Sequence, residues 1–260
     1  MARFDRLEFG EPAPEESKSQ KDEPRLRDVH DERRWLKDAD TCRRRGQYEN
    51  ALRYYSRALE ENKALVSGWI GQVQMLVLLD EVPEADLWAR KALEVFPGNG
   101  ELLAARAQAL CRLGDKKQAI ACCDGSMSAQ GRSAYRWQVR GELMVATRQT
   151  MDAHCFDKAQ QIDRDWLVPL ETALIYLHYD LASKAQGRAR AAVEQGPGEY
   201  YCWYVNGCAQ AVLGFSRQAR ESLGECLKLC PKHADAISRL SELDRNGSMF
   251  SKLGRWFKRG

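Results

Sequence analysis

From Glu32 to about His233, apolar residues recur at three- and four-residue spacings, and glycine or proline interrupts them at regular intervals. That is the period of amphipathic helices, with the breakers falling where helices stop and not inside them. Residues 1–31 lack this pattern. Pro12, Pro14 and Pro24, an acidic cluster at Glu11, Glu15 and Glu16, and few large apolar residues after Phe9 predict a flexible tail. Within it, Phe4, Leu7 and Phe9 form one short apolar motif. At the other end, Ile237, Leu240 and Leu243 make an apolar stripe, which predicts a capping helix over residues 234–246, stopped by Asn246-Gly247. Residues 247–260 then interleave Met249, Phe250, Leu253, Trp256 and Phe257 with Lys252, Arg255, Lys258 and Arg259, a basic amphipathic segment.

The interruptions are periodic. Ala51, Ala85, Ala119, Ala153, Ala185 and Ala219 share one register, with spacings of 34, 34, 34, 32 and 34 residues. Sixteen residues earlier stand Trp35, Trp69, Leu103, Trp137, Pro169 and Trp203, and twelve earlier Ala39, Val73, Ala107, Gly141, Ala173 and Gly207. Seven residues after each alanine come Ala58, Ala92, Ser126, Gln160, Ala192 and Cys226; Pro97, Pro197 and Pro231 follow in three copies. Gly46, Gly114 and Gly214 mark the turn inside a copy. Small residues at fixed positions let two helices cross closely, a large residue fills the gap to the neighbour, and proline ends the second helix. The period gives six repeats: 32–65, 66–99, 100–133, 134–165, 166–199 and 200–233. The fourth copy matches least, with Asp157 and Gln160 where apolar or small residues are expected.

These residues resemble the tetratricopeptide repeat, over about three quarters of the chain. The resemblance implies an all-α, right-handed α-solenoid of six helix pairs plus a C-terminal capping helix. It also implies a concave face, lined by the first helix of each pair, on which a partner lies.

Charge and chemistry narrow the function. A formal net charge of +3 with scattered arginines predicts no nucleic-acid partner. Met1 to Asp5 begin no apolar leader, so no signal peptide is expected, and the best apolar run, Met75 to Leu79, falls far short of the ~20 residues of a membrane helix. Nine cysteines without paired spacing are expected to be reduced thiols in the cytoplasm, and Asn246-Gly247-Ser248 is a turn more simply than a glycosylation site. There is no phosphate loop and no nucleophile elbow, and the neighbours His154 and Cys155 point different ways on a helix. No enzyme activity, cofactor or metal site is expected. Cys202, Cys208, Cys226 and Cys230 with His233 invite a metal- or redox-responsive role, but Cys226 stands where the repeat needs a small buried residue.

The inward positions of the first helices are then the candidate partner site: Arg33, Lys37 and Arg44 (with Arg43 beside it) in repeat one, Gln74 and Gln108 in repeats two and three, Tyr135, Gln138 and Glu142 in repeat four, Leu170 and Leu174 in repeat five, and Tyr201 and Tyr204 in repeat six. Basic at one end and aromatic or aliphatic at the other, this face predicts a protein partner, a peptide or helix with acidic residues at one end and apolar anchors at the other. Where chaperone-binding relatives of the repeat family carry Lys and Asn, this chain has Leu36 and Asp40, so a chaperone-tail clamp is not expected. The expected role is a scaffold or adaptor. The alternative is a membrane-surface component making weak contact through Phe250, Trp256 and Phe257.

Overall fold

A computed structural model describes the backbone of residues 31–256 and the side chains of residues 32–245. Among the described residues there are thirteen helices and no strands. They run α1 Asp31–Arg44, α2 Tyr48–Glu61, α3 Val66–Leu78, α4 Val82–Val95, α5 Gly100–Leu113, α6 Lys116–Ser128, α7 Ala134–Ala146, α8 Asp152–Ile162, α9 Leu167–His178, α10 Ala182–Gln195, α11 Tyr200–Val212, α12 Ser216–Leu229 and α13 Ala234–Trp256. Each odd-numbered helix packs on the even-numbered helix that follows it, and also on the next odd-numbered helix. The odd-numbered helices therefore form one layer, and the chain is an all-α solenoid.

The turn within each pair is made the same way six times. The chain leaves the first helix through a left-handed residue: Gly46, Asp80, Gly114, Arg148, Asp180 and Gly214, with φ between 57° and 87°. Glycine enters that region at no steric cost, and Asp tolerates it better than most residues. Asn99 and Ser133 cap later helices by accepting backbone N–H groups, Asn99 from Glu101 and Leu102, Ser133 from Arg136.

Packing corrects the register in the fourth repeat. Ala51, Ala85, Ala119, Ala185 and Ala219 are fully buried, but Ala153 is exposed, and the buried residue there is Asp152. Counting from Asp152, the fourth copy becomes regular. Phe156 takes the place of Tyr55, and fully buried Ala159 takes that of Ala58. The spacings are then 34, 34, 33, 33 and 34 residues. Asp157 and Gln160, which made this copy look degenerate, are not core positions at all. An aspartate is tolerated in the crossing because its carboxylate accepts hydrogen bonds from the Tyr176 hydroxyl (2.8 Å) and the Lys184 ammonium (2.6 Å). Burial alone would raise the Asp152 carboxyl, but these partners outweigh it and hold it below its ordinary value.

The large residue at the start of the first helix closes the gap to the preceding turn. Trp69 is buried and donates its indole N–H to the Lys63 carbonyl (2.9 Å), and Trp203 does the same to Pro197 (2.8 Å). The helix stop expected at Asn246-Gly247 does not occur: α13 continues to Trp256. A glycine inside a helix costs only about 1 kcal/mol relative to alanine, and nothing obliges Gly247 to take a turn conformation. Of the tail residues, Phe250 and Trp256 fall on the stretch of α13 whose side chains are not described, and Phe257 lies outside the described residues.

Candidate functional site

The concave layer closes on itself. Repeat one reaches across to the end of repeat four and to repeats five and six, over sequence separations of 121 to 155 residues. Arg43 on α1 donates through Nε (2.9 Å) and Nη2 to the Glu171 carboxylate on α9. Arg44 donates from Nη2 to both oxygens of Asp165, at 2.9 Å each, while its guanidinium lies 4.4 Å over the Trp166 ring. In α2, Tyr48 packs edge-on against Tyr201 of α11 and shares a hydroxyl hydrogen bond with it at 3.0 Å. Tyr200 donates to the Arg45 carbonyl at 3.0 Å. Gly46 makes room: a Cβ there would stand 2.2 Å from the Tyr201 ring. Burial holds the Tyr48, Tyr55 and Tyr201 hydroxyls above the ordinary tyrosine range, so they remain protonated donors.

Deeper in the layer, Glu142 is fully buried and satisfied. Its carboxylate accepts from Arg112 Nε (2.7 Å) and Gln108 Nε2 (2.7 Å), with the Tyr179 hydroxyl at 3.4 Å. Gln108 in turn accepts from the Tyr135 hydroxyl at 2.8 Å. Arg112 also reaches the Val77 carbonyl, which links repeats two, three and four.

Between the closing contact and this network lies a cavity of about 370 Å³. Leu36, Asp40, Arg43 and Arg44 of α1 and Ser67, Ile70 and Gln74 of α3 form one side; Tyr135 and Gln138 of α7 and Leu167 and Glu171 of α9 form another. Glu101, Asp163 and Asp165 stand at its margin. Gln74 is only 6 % exposed, and among the described residues its Oε1 accepts no hydrogen bond.

The expected site residues therefore separate. Gln74, Tyr135 and Gln138 do line the cavity, as does Arg44, though its charge is already matched by Asp165. Arg33 and Lys37 are exposed on α1, away from the cavity wall. Gln108 and Glu142 are committed to the buried network. Leu170 is core, and Leu174 packs against the same cluster. Tyr201 is buried under Gly46 and Tyr48, and half-buried Tyr204 stacks on it at 5.7 Å. At the end expected to be basic, Arg43 pairs with Glu171 and Arg44 with Asp165. Glu101, Asp163, Asp165 and Glu171 escaped the sequence reading. The two aspartates look like turn residues between α8 and α9, and nothing local says what they face.

Of the repeat-six cysteines, two are core residues and Cys208 and Cys230 are half-buried. Cys202 and Cys226 are fully buried, and burial pushes both thiols up to about 12, against formation of a reactive thiolate. Among the described residues no group of three or more His, Cys, Asp and Glu side chains is placed to hold a metal. No helix among them is long and apolar enough to cross a membrane.

No protein-family model and no curated protein matches the chain. Solved structures do. One is a tetratricopeptide repeat protein from Parabacteroides merdae, 15% identical with a TM-score of 0.51 over 84% of this chain and 85% of that one. Another is a thermophilic protein of the same repeat class in Thermus thermophilus, 17% identical with a TM-score of 0.50 over 82% of this chain and 98% of that one. The chain has the fold of these tetratricopeptide-repeat proteins. A further such neighbour, the hetero-tetramer Cut9–Hcn1 of the APC/C, is 14% identical at a TM-score of 0.50 over 84% of this chain but only 44% of that one.

Proposed function

We propose that the chain is an interaction scaffold that holds a segment of another protein at the concave cavity, working in the cytoplasm without catalysing a reaction. The observation that carries this reading is the cavity itself. A volume of about 370 Å³ stays open in the layer where side chains of α1, α3, α7 and α9 converge. Interiors pack densely, and a concave space with a few convergent polar groups is where a ligand group is expected to sit. The assembly of the fold neighbour Cut9 with Hcn1 is in keeping with an interaction role. Closure sharpens the mode of binding. A cavity at the small end of the ~300–1,000 Å³ range of ligand pockets admits one or two side chains, not a helix laid along a groove.

Ser67→Trp tests the reading. Ser67 is exposed and lines the cavity, so a tryptophan there fills the space without entering a core. Affinity purification of the full chain from its native cell should recover a partner with the wild type and lose it with Ser67→Trp, with the helical circular dichroism unchanged. Equal recovery by both proteins would refute the site.

A further inference from the structure

We infer that the cavity takes a cationic side chain, an arginine or a lysine presented by the partner segment; this rests on the scaffold reading and gives it a chemistry. The charge balance of the walls carries the inference. Five carboxylates face the cavity or its margin: Asp40, Glu101, Asp163, Asp165 and Glu171. Three have cationic partners within the chain: Glu171 with Arg43, Asp165 with Arg44, and Glu101 with Arg136 at 2.6 Å. Asp40 and Asp163 form no ion pair among the described residues. Asp40 accepts a hydrogen bond from the Tyr55 hydroxyl at 2.5 Å, and Asp163 accepts one from the Asp165 backbone N–H at 2.9 Å. An ionised carboxylate has about four acceptor sites, so most of their capacity is free.

Gln74 gives an independent indication. Gln74 is 6 % exposed and lines the cavity, with an acceptor oxygen that no donor among the described residues satisfies. A buried acceptor without a donor is costly, and such groups are normally paired. Free carboxylates and an orphan carbonyl oxygen all call for N–H donors, and the carboxylates call for positive charge as well. Guanidinium brings five donors and ammonium three, with no acceptor on either. The remaining wall suits the rest of such a side chain. Leu36, Ile70, Leu167 and Val168 offer apolar surface to a methylene stem, and Tyr55 and Tyr135 place aromatic rings beside the charge. An acidic side chain would meet Asp40 and Asp163, which form no ion pair among the described residues, and find Arg43 and Arg44 already engaged.

The test is a titration of the full, isotope-labelled chain, read by the side-chain amide of Gln74 and the backbone amides of Ile70, Tyr135 and Gln138. The probes are N-acetyl-arginine amide, N-acetyl-lysine amide and, as control, N-acetyl-glutamate amide. The cationic probes should move these resonances saturably, and the glutamate probe should not. Asp40 is exposed and asparagine can still accept from Tyr55, so Asp40→Asn keeps the fold; it should weaken arginine binding by about tenfold, the worth of a hydrogen bond to a charged group. Gln74→Leu should weaken it as well. No saturable shift with either cation, equal shifts with glutamate, or undiminished binding by Asp40→Asn would overturn the inference. A partner captured by the wild type and lost by Ser67→Trp, but cross-linking to the cavity through a segment without arginine or lysine, would overturn it while leaving the scaffold reading standing.

Discussion

Replacing Gly46 by alanine should pry repeat one away from repeats five and six. Gly46 sits at φ 71°, where an L side chain adds about 1–2 kcal/mol of backbone strain. The new methyl would also lie 2.2, 2.4 and 2.7 Å from three atoms of the Tyr201 ring. No contact of that length is tolerable, so the ring must leave. It then loses its hydroxyl bond to Tyr48, worth about 1 kcal/mol, and its edge-on contact with the Tyr48 ring, worth about as much again. The total is about 3 kcal/mol, which for a chain of this size lowers the thermal midpoint by about 6–12 °C. A double-mutant cycle isolates the collision. In the Tyr201→Ala background only the backbone strain remains, so the double variant should be less destabilised than the sum of the singles by about 2 kcal/mol. Urea denaturation followed by circular dichroism measures all four proteins. Additivity within about 0.5 kcal/mol would mean that Gly46 and Tyr201 do not meet, and the closed arrangement would fall with it.

Three further outcomes follow from other parts of the fold. Glu142→Leu strands Arg112, whose side chain is 5 % exposed, and should cost about 3–5 kcal/mol in urea, most of it regained when Arg112→Met is added; no recovery in the double variant would contradict a closed ion pair. In repeat four, Ala153→Glu should change stability by no more than about 0.5 kcal/mol, whereas Ala159→Glu should cost about 3 kcal/mol or more; equal effects would restore the register based on Ala153. The folded-state Asp152 carboxyl is held below its ordinary value, so its stabilising contribution is present above the unfolded pKa and is lost as pH falls through the lower folded one. Lys184→Met removes a partner and should move the acid-unfolding midpoint of repeat four to higher pH; an unmoved midpoint, read from amides of α8 and α10, would show that Lys184 does not hold that carboxylate.

The helix pairs were legible because their cause is local. Small residues at the crossing, a breaker at each turn and a tryptophan at the gap recur with the period of one repeat, and each acts within its own pair or the next. Where the sequence misled, the reason was physical. Asp152 occupies a position reserved for small residues, tolerated through Tyr176 and Lys184 from the following repeat, while the neighbouring Ala153 mimics the expected residue. Asp80, Arg148 and Asp180 adopt the left-handed turn without being glycine, so only three of the six turns were visible.

Closure was not legible for a different reason. It depends on small rotations accumulated over five interfaces, and no local pattern encodes that sum. Arg43 and Glu171, read singly, look like solvated charges, and only curvature brings them together. For the same reason nothing near Tyr201 in the sequence says that it meets Tyr48 of repeat one.

Contact between repeat one and repeat six decides whether the concave layer is a cavity or an open groove. The direct measurement is a nuclear Overhauser experiment on the full chain with protonated tyrosine in a deuterated background, assigned with Tyr48→Phe and Tyr201→Phe. Ring centroids 6.1 Å apart and hydroxyl oxygens 3.0 Å apart predict cross-peaks between the two rings, and their loss in Gly46→Ala. A well-folded spectrum with no Tyr48–Tyr201 cross-peak in the wild type would contradict closure, and with it the bounded cationic site.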